Sequence, residues 1–275
     1  MAREGDRHRV SRIGLVQTTA RDDVAENLAF ALAQVQAAAA AGVQLLAFPE
    51  VFLYVGPREG KLAHAQPLDG EWVSTFREQA RRHHMALLLG SIHERIPGRD
   101  DKVHNTSVLI DAAGEVAGIY RKLKLFDVDL PGTAIRESDT IVPGDALPPL
   151  MPSPIGAAGL TICFDLRFPE LYRHLRQAGA EVIFVPSNFT APTGAAHWEA
   201  LLRARAIENQ VYIAAPAQVG QHSPRYASHG HSALVDPWGV MTAVAPDRPG
   251  LTIGEIDLDY LAEVRRRLPV GAGGG

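Results

Sequence analysis

Apolar runs alternate with amphipathic stretches along most of the chain, a pattern typical of buried strands covered by helices. Apolar or alternating runs predict strands at 12–17, 43–48, 85–92, 106–111, 116–122, 181–187, 211–218 and 251–258, with a strand pair across 150–163. Helical periodicity and end signals predict helices from the capping-box pair Asp23 and Glu26 to Ala41, and at 71–84, 169–178, 195–209 and 258–267.

Turn residues punctuate these elements and define the fold class. Hairpins are predicted at "AAGE" (112–115) and "DPWG" (236–239), and 131–145 is predicted to be a loop. Buried strands that alternate with helices indicate an α/β protein, and the hairpins make its sheets mixed. We predict one domain over 11–269, with 1–10 and 270–275 as flexible termini.

Composition narrows the class of function. The chain has 275 residues, 46% of them hydrophobic, and its net charge of −4 lacks the basic excess of a nucleic-acid-binding protein. No apolar run approaches the ~20 residues of a membrane span, and the charged N-terminus lacks an apolar signal region. One cysteine cannot form an internal disulfide, and no histidine pair has zinc-like spacing. We therefore expect a cytosolic protein with a small-molecule ligand, without a metal, nucleic-acid or membrane partner.

Three residues of catalytic type each lie near the end of a predicted strand, where α/β sheets place reactive groups. They are Glu50 in "FPE", Lys122 in "YRKLKLF" and Cys163 in "TICFDLRFPELYR". A carboxylate acts as base toward a thiol, and a lysine stabilises an oxyanion. The helix that follows Cys163 and a nearby lysine are expected to favour its thiolate.

Each of these residues also has a structural interpretation. Cys163 has the size and polarity of a buried core residue. Glu50 and Lys122 fit solvated positions after strands, although Glu50 is flanked by apolar segments that favour its burial. The residues alone therefore leave a catalytic triad and a set of structural residues about equally supported.

A wider set of motifs resembles the carbon-nitrogen hydrolase (nitrilase) superfamily, and within it the Nit branch of deaminated glutathione amidases and omega-amidases. The motifs are "FPE", "YRKLKLFDVDLPG", "ESDTIVPG", "TICFDLRFPELYRHLRQAGAEVIFVPSNF", "GAAHWEALLRARAIENQVYIAAPAQVG" and "GHSALVDPWG", and the likeness runs from about Arg12 to Pro269. The resemblance implies a four-layer α-β-β-α sandwich of the nitrilase type.

The resemblance also implies roles for the candidate residues. It assigns the general base to Glu50, oxyanion stabilisation to Lys122 and the nucleophile to Cys163, while Glu137 in the "ES" stretch orients the lysine or the substrate. The sequence departs from the family pattern in two places. Lys124, the second residue after "YRK", replaces the usual histidine. The tail after "RRRLPV" lacks the usual aromatic and basic residues.

The combined prediction is a cofactor-free amidase that acts through a thioester on Cys163, with the backbone N–H of Phe164 as a second oxyanion donor. Arg167, Asn188 and His197 are predicted to bind substrate. Deaminated glutathione is the favoured substrate, and its two negative charges fit cations in "YRKLK", at Arg167 and in "LLRARA". Arg203 and Arg205 of the last segment also fit ion pairs on a helix face.

Other interpretations stay open from the sequence. The same residues suit an omega-amidase acting on 2-oxoglutaramate, and a hydrolase of N-carbamoyl amines or nitriles. A catalytically idle binding or scaffold protein is a non-enzymatic alternative. The resemblance further suggests a homodimer or higher homo-oligomer, for which the apolar stripe of "LDYLAEV" (258–264) is a candidate surface.

Overall fold

The computed structural model describes residues 10–130, 133–224 and 226–270. Its strands in chain order are β1 (Val10–Gln17), β2 (Leu45–Ala47), β3 (Ala86–Arg95), β4 (Val103–Ile110), β5 (Val116–Arg121), β6 (Asp127–Leu130), β7 (Thr133–Arg136), β8 (Leu150–Met151), β9 (Ala158–Leu160), β10 (Val182–Phe184), β11 (Tyr212–Ala215), β12 (Val219–Ser223), β13 (Tyr226–His229), β14 (Ala233–Val235), β15 (Met241–Val244) and β16 (Gly250–Asp257). The helices are α1 (Val24–Ala40), α2 (Arg58–His64), α3 (Glu71–His83), α4 (Pro169–Ala178), α5 (Ala191–Asn209) and α6 (Leu258–Arg267), with short 3₁₀ helices at Glu137–Asp139 and Cys163–Arg167.

Two six-stranded sheets form the centre of the molecule. The first has the order β16-β1-β2-β3-β4-β5 and the second the order β15-β14-β11-β10-β9-β8. In each sheet a parallel centre is flanked by antiparallel strands: β1, β2 and β3 are parallel, as are β9, β10 and β11. The predicted mixed sheets are therefore confirmed.

Alternation along the buried strands explains the layers. Leu45 and Ala47 of β2 face a core shared with the second sheet, whereas Leu46 faces a separate core that includes apolar residues of α1 and α3. On the far side of the second sheet, α4 and α5 contribute apolar side chains such as Tyr172 and Leu202. The order helix, sheet, sheet, helix confirms the predicted four-layer α-β-β-α sandwich.

The structure contains elements that the sequence pattern did not reveal. The predicted loop 131–145 includes β7, which pairs with β6 as a hairpin, and the helix at Glu137–Asp139. Short α2 and the hairpin of β12 and β13 were also not predicted. Their short lengths give too little periodicity for a pattern to register.

The apolar stripe of the C-terminal helix faces the core of its own chain and not a partner subunit. Leu258, Leu261 and Val264 of α6 are buried, and the first two belong to the core of the chain itself. The "LDYLAEV" stripe therefore serves intramolecular packing, which corrects its assignment as a candidate subunit surface.

Of the predicted flexible ends, residues 1–9 and 271–275 lie outside the described residues, and Val10 pairs with Asp257 at the start of β1. A single domain over 11–269 stays a prediction. Within the described ranges, no helix has the length and apolar character needed to cross a bilayer.

Candidate active site

The three strand-end residues meet at one cavity of about 330 Å³. Glu50 follows β2 and Lys122 follows β5 in the first sheet, while Cys163 lies three residues after β9 in the second sheet. Glu137 and Asn105 line the same cavity. The structure therefore brings together the four residues that the sequence analysis gave catalytic roles, which are Glu50, Lys122, Glu137 and Cys163.

Close backbone packing holds Glu50 in place. A Cβ atom at Gly90 would lie only 1.7 Å from the carbonyl oxygen of Phe48, so β3 approaches the end of β2 in a way that only glycine permits. The backbone N–H of Val51 donates to Oγ of Ser91 at 2.9 Å. From the second half of the chain, Nε2 of Gln218 donates to the Glu50 carbonyl oxygen at 3.0 Å.

Lys122 is a buried cation between two carboxylates. Its Nζ lies 2.8 Å from Oε1 of Glu50 and 2.8 Å from Oε2 of Glu137, and the residue is 2% exposed. Burial lowers the pKa of Lys122, but the attraction of Glu137 and Glu50 outweighs burial and raises the pKa well above its ordinary value. Lys122 is therefore charged at neutral pH.

Asn105 on β4 joins the two carboxylates and was not singled out by the sequence. Its Nδ2 donates to Oε1 of Glu50 at 2.9 Å and to Oε1 of Glu137 at 3.2 Å. The backbone N–H of Phe126 donates to Oε2 of Glu137 at 2.7 Å. Burial raises the pKa of Glu137, but the Lys122 charge and the hydrogen bonds from Lys122, Phe126 and Asn105 together outweigh burial and lower it. With both carboxylates ionised, the two glutamates and Lys122 carry a net charge of −1.

Cys163 begins a tight turn at the end of the second sheet. Its φ of 47° is in the left-handed region, and its backbone N–H donates to the Pro186 carbonyl at 3.0 Å. Asp165 fixes the turn, because its carboxylate accepts from the N–H of Ile162 at 2.9 Å and of Lys124 at 3.0 Å. Burial raises the pKa of Asp165 to about 6 despite these bonds.

The protonation of Cys163 differs from the expectation. Burial raises the pKa of Cys163 well above its ordinary value, the negative charge of Glu50 raises it further, and Lys122 and the Asn188 backbone N–H oppose this only in part. The predicted preference for thiolate is therefore wrong, because dehydration and the excess negative charge outweigh the single cation.

Lys124, the departure from the family pattern, points away from the cavity. Its Nζ lies 3.9 Å from Oε1 of Glu170 and 4.6 Å above the centroid of the Phe168 ring. Its backbone N–H, in contrast, supports Asp165. Of the two lysines in "YRKLKLF", only Lys122 extends into the carboxylate cluster.

The three predicted substrate-binding residues occupy different positions. Asn188 lines the cavity, and its side-chain oxygen accepts from Oγ of Ser228. Arg167 lines a small adjoining pocket that also reaches Cys163. His197 is exposed on α5, lines neither space and contacts Arg167 at 3.2 Å. Substrate binding by all three stays a prediction.

The arginines of "LLRARA" do not lie at the substrate cavity, which corrects the expectation that they help to bind an anionic substrate. Arg203 pairs with Glu199 at 3.3 Å, and Arg205 pairs with Glu208 at 2.9 Å, so the "LLRARA" cations form ion pairs on α5 and line neither of these pockets. Among the described residues, the lysines and arginines that line the main cavity besides Lys122 are Lys61 and Arg136.

Sequence reasoning missed Asn105, Lys61 and Tyr226 as cavity residues. Asn105 is one residue in a regular strand, Lys61 lies on an unpredicted short helix, and Tyr226 begins the second strand of an unpredicted hairpin. The only available signal was polarity within an apolar strand, which marks Asn105 in "VHNTSVLI". Within the described ranges, no group of three or more His, Cys, Asp or Glu side chains is arranged to hold a metal ion.

Comparison with known proteins adds independent information. The profile of the carbon-nitrogen hydrolase family matches residues 12–266. Deaminated glutathione amidase of Rattus norvegicus is 43% identical to this chain over 264 residues, which cover 94% of this chain and 80% of that protein. The crystal structure of the C. elegans NitFhit protein matches with a TM-score of 0.91 and 38% identity, and covers 96% of this chain.

This chain spans 65% of the NitFhit chain, so it matches part of that protein. A second solved structure is a variant of the amidase from Nesterenkonia sp. AN1 that carries the acetamide moiety of fluoroacetamide covalently bound to its active-site cysteine. It is 27% identical to this chain with a TM-score of 0.79, and the match covers 97% of this chain and 99% of that one.

Proposed function

Because this chain belongs to the carbon-nitrogen hydrolase family, we propose that it hydrolyses the amide bond of deaminated glutathione through a thioester on Cys163. The observation that carries the proposal is the contact of one buried ammonium, that of Lys122, with Glu50 and Glu137 at the cavity that the Cys163 thiol also lines. A nucleophile, a base and a fixed cation then lie at one cavity, as acyl transfer requires.

In the proposed acylation step, the Cys163 sulfur attacks the amide carbon while its proton moves to the Glu50 carboxylate. The raised pKa of Cys163 means that the thiol, not the thiolate, is the resting form, so the base must act during attack. The carbonyl oxygen becomes an oxyanion. Collapse of this intermediate breaks the C–N bond, and Glu50 transfers the proton to the leaving amine.

Lys122 stabilises the oxyanion in this mechanism. Its ammonium is charged because the carboxylates raise its pKa, and its position is fixed by the two ion pairs. A pre-positioned charge in a dehydrated site stabilises developing negative charge without reorganisation. The backbone N–H of Phe164, next to Cys163, is the proposed second donor.

Deacylation reverses the proton path. Glu50 accepts a proton from water as the water oxygen attacks the thioester carbon, and the released sulfur takes this proton back. The products are a carboxylic acid and the regenerated thiol. No step requires a cofactor.

The substrate assignment is supported by the relatives and by the charge of the cavity. Relatives such as the rat protein are deaminated glutathione amidases. Deaminated glutathione is a dianion, and its hydrolysis separates a 2-oxo dicarboxylic acid from cysteinylglycine. Lys61 and Arg136 on the cavity wall and Arg167 in the adjoining pocket supply positive charge for such a substrate.

A panel of four substrates tests the assignment. The specificity constant kcat/KM is measured for deaminated glutathione, 2-oxoglutaramate, an N-carbamoyl amino acid and a simple nitrile. We expect the highest value for deaminated glutathione. Preference for 2-oxoglutaramate would make the protein an omega-amidase, and preference for either of the last two would remove the Nit-branch assignment. Lack of turnover of all four would favour a binding or scaffold role.

We also propose that the protein is a cytosolic homodimer or higher homo-oligomer. A single nucleophilic cysteine fits a reducing compartment. Light scattering of the purified full chain measures its mass directly, and a monomeric mass would contradict the oligomer.

A further inference from the structure

Lys61 is a cavity cation that takes no part in the bond-breaking and proton-transfer steps of the proposed reaction. It lies on α2 and lines the main cavity together with the catalytic group. Its Nζ donates to Oγ1 of Thr140 at 2.9 Å. Thr140 in turn contacts the carbonyl oxygen of Glu137, so Lys61 is held against the turn that carries this glutamate.

The bonding of Lys61 is incomplete. An ammonium has three N–H donors, and the described residues supply Lys61 with one hydrogen-bond acceptor and no carboxylate within ion-pair distance. Burial lowers the pKa of Lys61, which reflects this loss of hydration. A dehydrated cation without a carboxylate partner favours binding of an anion.

The other lysine and arginine that line the cavity in the described ranges already have carboxylate partners. Lys122 contacts Glu50 and Glu137, and Arg136 pairs with Asp129 at 2.6 Å. His93 on the same wall is uncharged at neutral pH, because burial lowers its pKa well below the ordinary value. Lys61 is thus the cavity ammonium with donors left for a ligand within the described part of the chain.

The sum of charges in the cavity also favours binding of an anion at Lys61. Glu50, Glu137 and Lys122 together carry a net charge of −1, which repels an anionic substrate. The charge of Lys61 brings the total for these four residues to zero. An anion can then enter, provided that it contacts Lys61 and keeps its own charge away from the glutamates.

We propose that the Lys61 ammonium binds a carboxylate of the substrate and so makes the enzyme selective for acidic amides. This inference rests on the proposed function and deepens it. The carboxylate belongs either to the 2-oxo acid, which stays on the enzyme as the thioester, or to the glycine of the leaving peptide. Lys61 acts on binding and takes no part in proton transfer.

Matched substrates and variants test this role. Lys61→Met keeps the length of the side chain and removes its charge, Lys61→Arg restores a charge, and Lys124→Met removes the same charge from a lysine that points away from the cavity. Each protein is assayed with deaminated glutathione, with 2-oxoglutaramate and with pentanamide, a neutral amide of similar length. Melting temperatures establish that each variant is folded.

For Lys61→Met we expect kcat/KM on deaminated glutathione to fall at least about tenfold, the scale of one lost charge-assisted hydrogen bond, with most of the change in KM. The value for pentanamide should change less than about threefold on the same scale. Lys61→Arg should recover part of the loss, and Lys124→Met should resemble the wild type. A parallel loss with 2-oxoglutaramate would place the 2-oxo acid carboxylate on Lys61, and an intact rate with 2-oxoglutaramate would place the glycine carboxylate there.

Two outcomes would overturn the proposal: an equal loss with acidic and neutral amides, or no loss with either. A binding measurement separates this result from the proposed function itself. Cys163→Ala protein, which lacks the nucleophile, is titrated with deaminated glutathione in a calorimeter, because this ligand carries both carboxylates. Lys61→Met in that background should weaken binding at least about tenfold. If the enzyme hydrolyses none of the acidic amides, the proposed function fails. The calorimetric result still decides the role of Lys61, because unchanged or absent binding of deaminated glutathione overturns it.

Discussion

The hydroxyl of Tyr120 donates a 2.8 Å hydrogen bond to Oδ2 of Asp165. Tyr120 is near the end of β5, two residues before Lys122, and Asp165 is in the turn two residues after Cys163. The bond therefore joins the strand that carries the ammonium to the turn that carries the thiol. Both residues are buried, so no water replaces the bond without cost.

Tyr120→Phe tests whether this bond sets the position of the thiol. We expect a stability loss of about 1–2 kcal/mol, the scale of one lost buried hydrogen bond, and a lower kcat because the turn loses one of its anchors. The control is Tyr212→Phe, which deletes a hydroxyl that bonds to the Asp257 backbone. Denaturant unfolding and steady-state kinetics give both quantities. Equal kcat in the two variants would show that the Tyr120 hydroxyl serves stability alone.

Cys163 should form a covalent acyl intermediate. Rapid acid quenching of a reaction with excess substrate, followed by mass measurement of the intact protein, should reveal one acyl group on this residue. Cys163→Ala should abolish turnover and change the melting temperature by only a few degrees, because it removes a single heavy atom. An active enzyme that shows neither the adduct nor protection of Cys163 from iodoacetamide by substrate would refute a nucleophilic role.

The base and the cation should each be essential. Glu50→Gln and Lys122→Met are expected to reduce kcat at least ~10²-fold, the scale of a lost general base or a lost oxyanion donor. Lys122→Met also leaves two buried carboxylates without their cation, so we expect lower stability and assay it below its melting temperature. Lys124→Met is the control, with a much smaller effect. If Lys124→Met proved more harmful than Lys122→Met, the choice of lysine would be wrong.

The same two substitutions should shift the pKa of the thiol in opposite directions. Burial is the main reason for the raised pKa of Cys163, and the Glu50 charge adds to it while Lys122 opposes it. Glu50→Gln should therefore lower this pKa and move the onset of iodoacetamide alkylation to lower pH, whereas Lys122→Met should move it to higher pH. Because the chain has 1 cysteine, alkylation and thiolate absorbance report Cys163 alone. Shifts of the same sign in both variants would contradict this electrostatic account.

Local pattern was sufficient for most of the secondary structure. The predicted helix at 169–178 has the same bounds in the structure, since Pro169 fits the first turn and Gly179 ends the helix with a φ of 107°. The strand ends at Glu50, Lys122 and Cys163 were also predictable, because apolar runs that stop at a polar residue mark the edge of a buried sheet. Motif resemblance then identified the four-layer arrangement, which periodicity alone leaves open.

Only the tertiary structure determined how these strand ends interact. Lys122 and Glu50 are 72 residues apart, and Tyr120 and Asp165 are 45 apart, so no local pattern relates them. The protonated state of Cys163 depends on dehydration and on charges from both sheets, which reversed the sequence-based expectation of a thiolate. Lys61 acquires its place at the cavity in the same way, through a short helix docked against Thr140. Local sequence preferences determine the helices and strands. Burial and long-range charge determine the protonation and reactivity of the site residues, because burial and charge depend on neighbours that only the folded chain supplies.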